Sequence, residues 1–156
     1  MKWSKISIGI TFAAYLALPG CCSGETPKQH PVDTAIKAMD TLYTLDQHKM
    51  EVAQAVGPAM LAGHKYRFVQ IEVAKVTNPQ KHPLIFNVYY QPLNKEKILL
   101  GTFSLYPADN PGKFIVATQG KVTSGGSIIL SMTSPEKMKA SDQLKVVVKK
   151  IALREK

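Results

Sequence analysis

The sequence predicts a mainly β protein, an antiparallel β-sandwich of six to seven strands preceded by one N-terminal helix. Three observations predict it. Beyond Gly63 the apolar residues recur with period two. Turn residues interrupt these runs every eight to twelve positions. The intervals between runs are too short for the helical crossovers that parallel strands require, so neighbouring strands must be antiparallel.

Val32 to Leu45 carries the helical expectation. Asp33 or Thr34 is placed to cap it, and Ala35, Ile36, Met39, Leu42 and Tyr43 recur at near-helical spacing. His48 to Val56 admits two readings. It continues the helix through Met50, Ala53 and Val56, or it forms a first strand with Met50, Val52 and Val56 facing inward. Gly57-Pro58 ends the segment under either reading.

Tyr66–Val76 is the first clear strand, with Val69, Ile71 and Val73 on one face and Gln70 and Glu72 on the other. Asn78-Pro79 closes it. Leu84–Gln91 is rich in β-branched and aromatic residues, and its adjacent Tyr89 and Tyr90 must point to opposite faces. Lys97–Tyr106 follows a polar turn. Ala108–Gly112 (ADNPG) is the next turn, and Lys113–Thr118 leads away from it. Ser124-Gly125-Gly126 precedes Ser127–Met132. The last run, Gln143–Leu153, sets Leu144, Val146 and Val148 against Lys145, Val147 and Lys149. Residues 32–156 are thus expected to form one domain, with 32–56 a helix or a helix plus first strand, and 65–156 the sandwich.

The N-terminus has a different composition. Lys2 and Lys5 precede an uncharged apolar run, Ile6 to Leu18, and Pro19-Gly20 breaks it. As a helix this run would span only about 20 Å, at ~1.5 Å per residue. A hydrocarbon core needs about 30 Å. Residues 1–20 therefore read as a signal peptide. Leu18-Pro19-Gly20-Cys21 resembles the lipobox of bacterial lipoproteins, with Pro19 where Ala or Ser is more usual. The resemblance implies cleavage before Cys21, a diacylglycerol on its thiol and acylation of the new amine. It also implies a location at the cell envelope: the outer membrane facing the periplasm in a Gram-negative host, otherwise the cell membrane.

Cysteine usage fits this expectation. The two cysteines, Cys21 and Cys22, are neighbours at the junction, where they cannot staple a core. Two or more acyl chains give stable attachment, at ~0.8 kcal/mol per buried CH₂. Ser23 to Pro31 is polar and holds two prolines, so residues 21–31 are expected to be a lipid-anchored flexible tether.

Removing Lys2 and Lys5 would lower the formal net charge from +9 to +7. From Gly57 onward fifteen Lys or Arg face six acids. This excess suits anionic lipid headgroups or wall polymers, and equally a solvated surface. Secretion and the lack of a recognition motif argue against a nucleic-acid partner.

Local catalytic motifs are missing from the sequence. No G-x-S-x-G elbow occurs. His30, His48, His64 and His82 form no HExxH pair, and His64 and His82 read as ordinary exposed loop histidines beside Lys65 and Lys81. Gly125-Gly126 lacks the context of a phosphate loop. His48 and Met50 with Met60 form the one candidate copper set, since thioethers suit Cu(I); core filling is the competing role of the methionines. Tyr106, near the ADNPG turn with Asp109 and Asn110, is the candidate partner-binding group, because loop tips with exposed aromatics suit protein or glycan contact.

Phe86-Asn87-Val88-Tyr89-Tyr90, then Gly101-Thr102-Phe103-Ser104-Leu105-Tyr106, then Val146–Leu153 is similar in order to the small β-sandwich that ends tyrosinases and polyphenol oxidases. That domain has no copper ligands of its own and packs against the oxidase. Asn87 stands where that family often has Asp, and no copper-binding domain precedes it here. The leading expectation is therefore a non-catalytic, lipid-anchored binding or assembly module without a cofactor. A metal-handling or oxidase-accessory protein is the alternative, and a hydrolase with a site assembled from distant loops is a further one.

Overall fold

The computed structural model describes residues 42–155. Where the sequence alternates, the backbone is extended and the apolar positions face inward. The longest strands show this best. In Phe68–Thr77, labelled β3, Val69, Ile71 and Val73 are buried, while Gln70 and Glu72 keep contact with solvent. The same alternation buries Phe86, Val88 and Tyr90 in β4 (Ile85–Pro92), and Val146 and Val148 in β8 (Lys145–Arg154). Tyr89, on the opposite face from Tyr90, is only half-buried. The strands β5 (Ile98–Ser104), β6 (Gly112–Ala117) and β7 (Gly126–Thr133) complete the set expected beyond residue 65.

Two further strands come before residue 65, so the described residues hold eight rather than six or seven. They are β1 (Tyr43–Asp46) and β2 (Glu51–Val56). The helix expected over Val32–Leu45 is corrected at its C-terminal end. Tyr43 to Leu45 is strand, with Tyr43 opposite Val148 and Leu45 opposite Val146. The physical reason is an edge to be satisfied. The ten-residue β8 offers backbone donors and acceptors on both sides, and β1 takes part of the side that β3 leaves open. Leu45 is fully buried in return. Residues 32–41 of that expected helix lie outside the described residues, as do the expected signal peptide, Cys21, Cys22 and the expected tether.

The open reading of His48–Val56 resolves as a strand over Glu51–Val56, with Val52 and Val56 buried. Gly57-Pro58 does end it. A one-turn helix, α1 (Pro58–Leu61), begins there with proline in its first turn, where the missing N–H costs nothing.

Two four-stranded sheets result, in the orders β1-β8-β3-β6 and β2-β7-β4-β5, and every pairing is antiparallel. Both sheets contribute to one core cluster, from Leu45, Val69, Ile71 and Val146 on one side to Val52, Phe86, Tyr90 and Leu130 on the other. A run of stacked rings ties the sheets together. Phe86 of β4 lies 4.9 Å from Phe103 of β5, and Phe103 lies 4.2 Å from Phe114 of β6.

Strand registers place the loops at two ends. Segments 47–50, 78–84, 105–111 and 134–144 gather at one end, and segments 57–67, 93–97 and 118–125 at the other. These ends differ in character.

Candidate functional site

The loop 105–111 joins β5 to β6 across the two sheets. Its flanks are fixed by apolar packing: Leu105 is buried, and Phe103 and Phe114 stack on each other. Its tip is not packed. Tyr106 is 96% exposed, the most exposed of the large apolar side chains among the described residues. Asp109 and Asn110 are exposed beside it, and the Asn110 amide donates to the Pro107 carbonyl at 3.0 Å, closing a tight turn. The three candidate contact residues thus share one loop surface.

A buried polar network holds this loop from behind. Asn78, only 4% exposed, donates from Nδ2 to the Ala108 carbonyl at 3.1 Å and to the His82 carbonyl at 2.9 Å. Its Oδ1 accepts the His82 amide at 3.1 Å. One amide side chain therefore satisfies three backbone groups on two loops. This matters because a buried polar group left unpaired costs about 1–3 kcal/mol.

His82 extends the network and corrects the expectation of an ordinary exposed histidine. Its side chain is 13% exposed and both ring nitrogens are engaged. Nδ1 donates to Glu136 Oε2 at 2.6 Å and Nε2 donates to Asp142 Oδ2 at 3.0 Å. Two donors to two carboxylates describe an imidazolium. The Glu136 bond, working against burial and aided by Asp142, pushes the His82 pKa up. Asp142 is pulled down, first by the Lys139 amide that donates to it at 2.6 Å and also by His82. Both ring nitrogens of His82 are committed to carboxylates of the segment 134–144. His82 clamps loop 78–84 to that segment.

Asp46 organises the remaining loop at this end. Its Oδ1 accepts from the amides of Lys49 and His48, each at 2.8 Å, and these bonds, led by Lys49, lower its pKa.

The other sequence candidates are not brought together. His48 and Met50 lie in the turn before β2, at the Tyr106 end, whereas Met60 lies in α1 beyond the far end of β2. The six residues of β2 separate them by about 20 Å at ~3.3 Å per residue. Among the described residues no group of three or more His, Cys, Asp or Glu is placed to hold a metal ion. His64 is half-exposed and pairs with Glu155 at 2.7 Å. Of the three runs that resemble the tyrosinase-type domain, the first falls in β4, the second runs from β5 into the loop 105–111, and the third falls in β8; β4 and β5 are neighbours in one sheet and β8 lies in the other.

Sequence reading missed one surface altogether, a cleft of about 500 Å³ at the opposite end. Leu61, His64, Lys65, Tyr66 and Arg67 line it on one side, and Gly120, Val122 and Thr123 on the other. The adjacent cations of 64–67 were a visible signal. The facing wall, more than fifty residues later, was not.

Comparison of this chain with protein families, with characterised proteins and with solved structures gives no match.

Proposed function

We propose that this chain is a lipid-anchored, non-catalytic binding module of the bacterial envelope: a β-sandwich tethered through lipid on Cys21 that engages an envelope protein or glycan through Tyr106, Asp109 and Asn110. The observation that carries the reading is the contrast within loop 105–111. Its backbone is pinned by Asn78, yet its aromatic tip is 96% exposed. A protein does not gain stability by leaving such a ring in water. A tyrosine on a braced backbone brings a large, amphipathic contact area to a partner at little cost in conformational entropy.

The test places a photoreactive side chain at position 106 of the full-length protein in cells, with position 137 as a control. A discrete crosslinked species from 106, absent from 137, is expected. Crosslinking that does not differ between the positions would overturn the assignment of this loop. Tyr106→Ala should weaken binding to the captured partner by about 2 kcal/mol, roughly thirty-fold, if the ring is a central anchor. Its melting temperature should not change. Turnover of an ester, glycoside or peptide by the purified protein would overturn the non-catalytic reading.

A further inference from the structure

The cleft at the end opposite Tyr106 has a composition that selects a ligand class. Its walls carry Lys65 and Arg67, and no ion pair to either is present among the described residues. Glu155 is paired with His64, another residue of the lining, at 2.7 Å. The rest of the lining is largely apolar, with Leu61, Val122 and the ring of Tyr66, and Thr123 adds a hydroxyl. Met60, beside Leu61 in α1, is 45% exposed.

Charge at this end is one-sided. Segments 57–67, 93–97 and 118–125 hold five Lys or Arg and one acid, Glu96. The segments at the Tyr106 end hold four Lys and three acids. Lys97 of this set pairs with Glu51, and the cations in the two segments that line the cleft are Lys65, Arg67 and Lys121; a cleft wall of low dielectric strengthens the field of the two that line it. The volume, about 500 Å³, falls within the roughly 300–1,000 Å³ of small-ligand sites. Two cations beside Leu61, Val122 and the Tyr66 ring complement an anion with a short hydrocarbon part.

We infer that this cleft binds a phosphate-bearing amphiphile, with the phosphate on Lys65 and Arg67 and the apolar part against Leu61, Tyr66 and Val122. Arg67 supplies a planar, forked donor set that matches phosphate geometry, and Lys65 supplies a point charge. A phospholipid headgroup and a soluble phosphate ester share this chemistry.

The experiment follows backbone amide resonances of the full-length protein in neutral maltoside micelles. Hexyl phosphate is titrated against inorganic phosphate and hexyl glucoside. Saturable shifts of Tyr66, Gly120 and Thr123 with hexyl phosphate are expected, with inorganic phosphate roughly tenfold weaker and hexyl glucoside silent. Lys65→Glu with Arg67→Glu should weaken hexyl phosphate binding at least about tenfold, whereas Lys75→Glu, a charge reversal on β3, should not. Arg67→Gln serves as the milder variant, and its spectrum reports whether the fold is kept. Vesicles with and without phosphatidylglycerol then separate the sources. Broadening of the same amides only with the anionic lipid identifies a headgroup, and hexyl phosphate binding without it identifies a soluble ester. No saturable shift with hexyl phosphate, an equal response to hexyl glucoside or inorganic phosphate, or full retention of binding in the charge-reversed variants would overturn the inference.

Discussion

His82 shows how much one side chain can fix when both of its nitrogens are used. Its pKa is raised, chiefly by Glu136, so the protonated clamp stabilises the fold below the ordinary histidine value of 6.5 and weakens as pH rises through the raised one. Asp142 and Asp46 have lowered pKa values, so their contributions stand above the ordinary carboxylate value of 3.8 and fade as pH falls through the lowered ones. Stability should therefore be greatest in the weakly acidic range and decline on both sides. Thermal melts across pH should show the alkaline decline in the native protein and a smaller one in His82→Gln, which keeps a hydrogen-bonding group but cannot ionise. An unchanged alkaline slope in that variant would remove His82 as its cause. Gly126 makes a different point, about space. A Cβ there would stand 2.2 Å from the Gln91 carbonyl oxygen in the neighbouring strand. Gly126→Ala should cost about 1–3 kcal/mol in denaturant unfolding, because the obstacle is backbone rather than a side chain that can turn away.

At the scale of elements, the strands β3, β4 and β8 were legible because each is eight to ten residues long and opens on an alternating run that buries one face. The short β1 was not. Its four residues bury only Leu45, and Leu42 and Tyr43 happen to continue a helical spacing from the preceding segment. What makes it a strand is the open side of β8, which no local pattern reveals. The loop carrying Tyr106 was legible for the opposite reason, since Asn, Pro and Gly mark a turn wherever they occur together. The network behind it was not legible: His82 meets Glu136 and Asp142 across 54 and 60 positions of sequence. Asn78 is the joint between these loops. Asn78→Ala should leave the His82 amide, the His82 carbonyl and the Ala108 carbonyl without their partner, and should destabilise by about 1–3 kcal/mol. Hydrogen exchange should then rise in both loops 78–84 and 105–111. Faster exchange confined to 78–84 would show that Asn78 does not brace the Tyr106 loop.

Across the described domain as a whole, two differently charged ends stand at opposite limits of the same sheets. The Tyr106 end is nearly balanced in charge and presents an aromatic tip, while the cleft end is cationic and apolar. No helix among the described residues is long and apolar enough to cross a membrane. In the proposed function, attachment is through the lipid at Cys21, and Cys21→Ser should abolish acyl labelling and release the protein from membranes into soluble fractions. Retained labelling would place the lipid elsewhere. The most direct measurement is the intact mass of the full-length gene product purified from bacterial membranes. A chain that begins at Cys21 and carries the added mass of a diacylglycerol and a third acyl group is expected; a processed chain with no fatty-acid mass on its first residue would contradict the anchored module.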